Sequence, residues 1–101
     1  MPSATLIFHR KRVFEDGAIA ELKLWRLPSP VRGSSHLFKY SLFFGRAGKR
    51  LVGYDHEARK GDHRHYEDRQ ETYPFTTPER LMADFLADVR RLRGAADGDA
   101  I

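Results

Sequence analysis

The sequence has no cysteine in its 101 residues. This absence excludes a disulfide framework, a thiolate metal site and a cysteine nucleophile. The sequence also lacks any apolar run near the roughly 20 residues of a membrane-spanning helix, and its first residues show no signal-peptide pattern. We therefore expect a cytoplasmic protein without a membrane segment.

Internal repeats and low-complexity segments are also missing, and the composition is that of a folded chain. Hydrophobic residues make up 41% of the sequence and charged residues 32%. This length predicts one domain over residues 1–101, with a single modest core. Lysine and arginine number 18 against 14 acidic residues, a net charge of +4. So small an excess indicates a polyanionic partner only weakly and suits a simple charged surface equally well.

The first half of the chain predicts antiparallel strands, because apolar and polar side chains alternate along it. The pair Asp16-Gly17 lies between two apolar runs and is a strong hairpin signal. A stretch with two prolines, 28–35, predicts a loop, and 45–49 a five-residue turn. The predicted strands are 5–14, 18–27, 36–44 and 50–55, with 71–75 as an optional fifth.

The C-terminal part predicts one amphipathic helix. Thr77 suits the N-cap, Pro78 the first helical position and Glu79 the first turn. Gly94 predicts the end of the helix. Apolar residues recur every three or four positions between these ends, at Leu81, Phe85, Val89 and Leu92. The predicted fold class is α+β, an antiparallel meander of four or five strands with this helix packed on one face.

The stretch from 52 to 66, VGYDHEARKGDHRHY, is the main candidate for function. Its centre, KGDHRHY at 60–66, brings two histidines, two cations, a carboxylate and a phenol together within seven residues. Side chains of these types bind phosphate and transfer protons. We expect the segment to lie in a loop or at a sheet edge.

Several segments together resemble the TumE family, small proteins assigned as toxins of toxin–antitoxin modules. The resemblance rests on KLWRLP at 23–28, GSSH at 33–36, VGYD at 52–55, KGDHRHY at 60–66 and ADFLADV at 83–89. It implies a type II toxin whose partner is an antitoxin protein, often one with a helix-turn-helix domain. A nuclease activity is a common expectation for small toxins of this kind. The resemblance assigns no catalytic residue.

A metal-independent endoribonuclease is the mechanism that the central segment favours. His63 and His65 would be the acid–base pair, because residues two apart on an extended chain point to the same side. Lys60 and Arg64 would supply positive charge, although Arg64 and Tyr66 would share the histidines' side only if the chain turned. The full candidate set is His63, His65, Arg64, Lys60, Asp62 and Tyr66, acting on RNA without a cofactor.

Other interpretations remain open for the same residues. A divalent ion held by Asp62, His63 and His65, with Asp55 or His56, ranks behind the metal-free mechanism. A solvated charged loop without chemistry is about equally compatible with the segment taken alone. A third interpretation is a module that binds nucleic acid or protein without catalysis.

Residues outside the segment have simpler interpretations. We expect structural roles for His9 and His36, and a place in the core or in an interface for Trp25. Such an interface would cover the apolar outer face of the strands with the antitoxin or with a second copy of the chain. The arginines near the helix end are expected to be solvated: Arg90, Arg91 and Arg93.

Overall fold

A computed structural model describes residues 4–30, 36–57 and 61–94. Within them, one antiparallel sheet has six strands, each hydrogen-bonded to its neighbours in chain order. The strands are Thr5–Val13 (β1), Ile19–Arg26 (β2), Phe38–Arg46 (β3), Lys49–Glu57 (β4), Gly61–Tyr66 (β5) and Arg69–Thr72 (β6). One helix follows, Pro78–Arg93 (α1). The α+β class is confirmed, but the strands number six instead of four or five.

The additional strand is the charged segment itself. Its residues 61–66 form β5, which is paired with β4 on one side and with β6 on the other, so they are neither a loop nor a sheet edge. A tight turn at Glu67, whose φ is 55°, joins β5 to β6. The expectation failed here because this turn contains no glycine or asparagine, the residues that usually mark positive φ.

The first two hairpins follow local signals. The Asp16-Gly17 turn is confirmed, with Gly17 at φ 87° and the Asp16 carboxylate accepting a hydrogen bond from the N–H of Ala18. The turn between β3 and β4 is shorter than predicted. Ala47 and Gly48 alone make it, both at positive φ, as a two-residue hairpin turn requires.

The core lies between the sheet and the helix. Alternate residues of β2, β3 and β4 point to this side, as the pleat requires, and the helix adds Leu81, Phe85 and Val89, each 0% exposed. The predicted apolar stripe of the helix is therefore confirmed up to Val89, whereas Leu92 is 44% exposed. The sheet side of the core consists mainly of Ala20, Leu22, Leu24, Tyr40, Leu42, Phe44, Val52 and Tyr54.

A side chain caps the N-terminal end of the helix, and the backbone N–H of Gly94 caps the C-terminal end by donating to the carbonyl oxygen of Arg90 at 2.7 Å. The hydroxyl of Thr77 accepts a hydrogen bond from the N–H of Arg80 at 3.1 Å, so the predicted N-cap is confirmed. At the other end Arg93 departs from expectation, since its side chain is only 8% exposed. Its guanidinium lies 3.8 Å from the ring centroid of Phe14 and forms an ion pair with Asp16 at 3.2 Å.

No helix in the described ranges is long and apolar enough to cross a membrane.

Candidate active site on the open sheet face

The sheet face that points away from the helix, called here the open face, carries polar side chains in transverse rows. Residues paired directly across neighbouring strands lie on the same face. The strand register therefore aligns one residue from every strand in a single row. That row is His9, Lys23, Ser41, Asp55, His63 and Thr72.

The two histidines of β5 both lie on the open face, two residues apart. His63 is paired with Asp55 and His65 with Gly53 on β4. The Nε2 atom of His65 is 3.4 Å from Oδ1 of Asp55. Because β5 is hydrogen-bonded on both sides, the two imidazoles and the carboxylate are held on rigid backbone.

The two rings differ in their surroundings. His65 is 9% exposed and its side chain contacts Asp55. His63 is half-buried, and its Nδ1 is shielded from solvent without a hydrogen-bond partner among the residues described. The expectation that both histidines lie outside the packed part of the molecule is therefore wrong for His65.

A cation that the sequence interpretation missed lies beside this pair. A Cβ atom added to Gly53 would come within 2.8 Å of Cδ of Arg50, so the Arg50 stem crosses the open face over Gly53. Gly53 is the cross-strand partner of His65, which brings Arg50 into the neighbourhood of that ring. Glycine inside a strand often marks such a close approach, and this signal could have identified Arg50.

An open cleft of about 570 Å³ continues from Arg50 along the sheet. Phe43, in the same row as Gly53 and His65, forms part of its wall. The remaining lining residues are Gly48, Lys49, Glu67 and Asp68. The open face thus combines an aromatic ring, a cation and an imidazole within one row and its immediate border.

The other candidates from the charged segment lie on the helix side of the sheet. Arg64 forms an ion pair with Glu71, and the hydroxyl of Tyr66 donates to Asp88 at 2.9 Å. Asp62 also points to the helix side. The strand alternation therefore separates Asp62, Arg64 and Tyr66 from the histidine pair, and Lys60 lies outside the described residues.

The phenols on the helix side are held in their protonated form. Burial raises the pKa of Tyr54, and its hydrogen bond to Asp88 raises it further. Burial likewise raises the pKa of Tyr66. Tyr66 therefore serves as a hydrogen-bond donor near neutral pH and does not take up a substrate proton.

A second polar cluster lies on the helix side where β3 begins and β4 ends. The Nε2 atom of His36 is 2.9 Å and 3.1 Å from the two carboxylate oxygens of Asp62, and the hydroxyl of Tyr40 donates to the same carboxylate at 2.6 Å. His56 is the fourth member, with Nε2 4.0 Å from Asp62. Burial lowers the pKa of His56, which favours the neutral ring.

These positions divide the ligand set that the sequence suggested for a metal ion. Asp62 and His56 lie on the helix side, whereas His63, His65 and Asp55 lie on the open face. The sheet between them prevents the five from surrounding one ion. His36, expected to be a lone structural histidine, is instead the partner of Asp62, and no local spacing in the sequence indicates that contact.

Two further residues on the open face follow their expected roles in part. His9 forms a hydrogen bond with Glu21 at 2.8 Å, a structural contact. Trp25 lies outside the core, with the Lys39 ammonium 5.7 Å from its ring. It is therefore a surface aromatic on the open face, as an interface residue would be.

Comparison with known proteins gives one family. The profile of the family described as Toxin TumE matches residues 3–93, which include every strand and the whole helix. No characterised protein and no solved structure matches the chain. The chain belongs to the toxin TumE family.

Proposed function

We propose that the protein is the toxin of a type II toxin–antitoxin module and acts as a metal-independent endoribonuclease. Membership in the TumE family indicates the toxin and implies an antitoxin partner. The observation that supports ribonuclease chemistry is the pair His63 and His65 on one rigid sheet surface opposite the helix, with Asp55 in contact with His65 and Arg50 over Gly53, the cross-strand partner of His65.

In the proposed reaction His63 is the general base and His65 the general acid. His63 takes the proton of a ribose 2′-hydroxyl, and the 2′-oxygen attacks the adjacent phosphorus. The bond from phosphorus to the 5′-oxygen breaks, and His65 gives its proton to that oxygen. The products are a 2′,3′-cyclic phosphate and a 5′-hydroxyl, so atoms and protons balance without a metal ion or water.

The assignment of the two roles follows from their neighbours. Asp55 lies 3.4 Å from His65 and orients its ring, as a carboxylate partner does for a catalytic imidazole. The carboxylate of Asp55 contacts His65 and not His63, its cross-strand partner, and Nδ1 of His63 has no hydrogen-bond partner among the described residues, so His63 is the ring proposed as base. Arg50 takes the phosphate-binding role first expected of Arg64, and Lys60 remains the second proposed cation.

The open face also has features for holding an RNA strand. The aromatic rings of Phe43 and Trp25 offer surfaces on which bases can stack, and Lys23 and Lys39 offer charge for phosphates. A purely binding role is the second candidate, because these groups would hold nucleic acid whether or not the histidines act. In that role the contact between Asp55 and His65 would be structural.

Cleavage of a mixed RNA, followed on a gel, tests the proposal. We expect His63→Ala and His65→Ala each to lower the rate by roughly 10²-fold or more, because positioned acid–base catalysis contributes on the order of 10² to 10⁴. His9→Ala is the matched control, since His9 is an exposed imidazole in the same row as His63 and contacts a carboxylate. Circular dichroism spectra establish that each variant is folded.

Further measurements separate the alternatives. Ribonuclease activity should survive EDTA, should end in a cyclic phosphate and should leave an all-DNA strand intact. If His63→Ala and His65→Ala both cleave RNA at the wild-type rate, the proposed roles of the two histidines are wrong. RNA binding without cleavage by the wild-type protein would favour the binding module instead.

The partner proposal is tested separately. We propose that the antitoxin has a helix-turn-helix domain and covers part of the open face around Trp25, with a homodimer of the toxin as the other arrangement. Light scattering of the protein alone and with the product of the neighbouring gene measures both. A stable monomer that forms no complex with that product would contradict the proposal.

A further inference from the structure

The polar cluster on the helix side, formed by His36, Tyr40, His56 and Asp62, has the composition of a metal site. Its members come from three places in the chain: the residues before β3, the strand β3 itself, and the paired ends of β4 and β5. Two imidazoles and one carboxylate converge there. The nitrogen and oxygen atoms that could act as ligands all lie within 4.8 Å of one another.

His56 is the most informative member of the cluster. It is 4% exposed, and neither of its ring nitrogens has a hydrogen-bond partner among the residues that the structure describes. A buried polar atom without a partner is rare and costly in native proteins. Its Nε2 points to within 4.0 Å of the Asp62 carboxylate, so the unsatisfied atom faces the other candidate ligands.

We propose that His36, His56 and Asp62 bind a single divalent transition-metal ion, of which zinc is the representative. Imidazole and carboxylate are preferred ligands of zinc and of its neighbours in the first transition series. The ion would supply the missing partner of His56. It would tie the start of β3 to the hairpin formed by β4 and β5.

The distances are close to those that an ion requires. With bonds of about 2.0–2.1 Å, tetrahedral ligand atoms lie roughly 3.3–3.4 Å apart. The separation of His36 from Asp62, 2.9 Å, is slightly shorter, and that of His56 from Asp62, 4.0 Å, is slightly longer. The widest separation among the three ligand atoms is up to 4.8 Å, so side-chain movements that close it by about 1.5 Å complete three corners, and the fourth remains for water.

The surroundings also suit an ion. The hydroxyl of Tyr40 donates to Asp62 and orients the carboxylate, as outer-shell partners of metal ligands commonly do. Phe75 covers the site, with its ring centroid 4.1 Å from that of His36. The side chains of His36 and Asp62 are 16% and 14% exposed, which leaves an entry path from solvent.

One contact in the ion-free cluster must change. The Nδ1 atom of His36 accepts a hydrogen bond from the N–H of Phe38 at 3.1 Å, so a neutral ring carries its hydrogen on Nε2 and donates to Asp62. Coordination through Nε2 moves that hydrogen to Nδ1 and gives up the bond to Phe38. The N–H of Phe38 then loses its acceptor and faces a second donor, which costs roughly 5- to 150-fold in affinity, with the lower end expected because the contact is only partly buried.

This site is independent of the proposed ribonuclease reaction. It lies on the opposite face of the sheet from His63 and His65, so an ion bound there does not take part in the acid–base step. Cleavage that survives EDTA is therefore compatible with zinc binding, and failure of either proposal leaves the other standing.

Calorimetric titration of the full chain, freed of metal by EDTA and dialysis, with zinc chloride is the test. We expect one ion per chain. We expect His56→Gln and Asp62→Asn to weaken binding by about 100-fold or more, because even outer-shell changes at zinc sites cost about 10- to 100-fold. The matched control is His9→Gln, which alters an imidazole that also contacts a carboxylate but has no third ligand. It should bind zinc like the wild type.

A second measurement on the wild type covers the case in which the buried variants do not fold. Long-range ¹H–¹⁵N spectra report on every histidine ring. Addition of one equivalent of zinc should shift the ring nitrogens of His36 and His56 and leave those of His9 unchanged. Absence of binding by the wild type, or shifts confined to His63 and His65, would overturn the proposal.

Discussion

The carboxylate of Asp88 is the acceptor that joins the helix to the strands carrying the two polar clusters. It lies on α1 and accepts hydrogen bonds from the hydroxyl of Tyr54 on β4 at 2.5 Å and from that of Tyr66 on β5 at 2.9 Å. Its side chain is 15% exposed, and Arg91 contacts it at 3.4 Å. We predict that Asp88→Ala strongly destabilises the fold.

The magnitude follows from the exposure of the two donors. A buried donor that loses its acceptor costs about 1–3 kcal/mol. Tyr54 is 1% exposed and would bear most of that cost, although the carbonyl oxygen of Asp84, 3.4 Å away, offers a weak substitute. Tyr66 is half-buried and would recover part of its loss from water. The sum is about 2–4 kcal/mol in the free energy of unfolding.

Removal of a donor should cost less than removal of the acceptor. In Tyr54→Phe the carboxylate of Asp88 keeps Tyr66 and Arg91, so we expect about 0.5–1.5 kcal/mol. The combination of Tyr54→Phe with Asp88→Ala should then cost less than the sum of the two single changes, because they remove one shared interaction.

Urea denaturation measures these differences as shifts of the midpoint at constant slope. The control is Glu79→Ala, a change at an acidic residue in the first turn of the same helix, away from the tyrosines. A cost below about 0.5 kcal/mol for Asp88→Ala, or strict additivity with Tyr54→Phe, would refute the reasoning.

Three further predictions concern other parts of the molecule. Phe85→Ala removes a ring that is 0% exposed and should lower the free energy of unfolding by about 3–5 kcal/mol, as measured in urea. Hydrogen bonds from the backbone N–H of Ala18 and from Arg93 lower the pKa of Asp16 in the folded protein. The Asp16 carboxylate therefore stabilises the fold fully above pH 3.8, its unfolded pKa, and this contribution is lost as the pH falls through the lower pKa of the folded state. Asp16→Asn should therefore be less stable than the wild type near neutral pH, and thermal melts in acid should show the difference shrinking; a constant difference would contradict the assignment. Gly53→Ala puts a methyl group against the stem of Arg50 and displaces that side chain. It should slow RNA cleavage about tenfold or more with little loss of stability. An unchanged cleavage rate would show that Arg50 has no role in the reaction.

Local patterns were sufficient for much of the architecture. Alternation of side chains predicted the first four strands, and the Asp16-Gly17 pair predicted the first hairpin. The helix was predicted at both ends, because Thr77 and Gly94 act on backbone groups within a few residues of themselves. Signals of this kind need no knowledge of distant parts of the chain.

The missed hairpin shows where local patterns fail. The turn at Glu67 contains no residue type that is typical of a chain reversal. The sequence patterns therefore did not predict β5 and β6 as two separate strands. Once β5 pairs on both sides, its alternation decides which side chains meet. His63 and His65 stay together as predicted, while Arg64 and Asp62 go to the other face.

The sequence by itself determined the α+β class, the helix with its buried stripe, the resemblance to the TumE family and the shared side of the two histidines. The tertiary structure alone decided that Arg50 lies near those histidines, that Asp55 and not His56 shares their face, and that His36 and His56 meet Asp62. The physical reason is that these contacts depend on the register between paired strands and on which side chains the pleat places on each face. Register is set by the whole sheet and its packing on the helix, and no short window of sequence contains it.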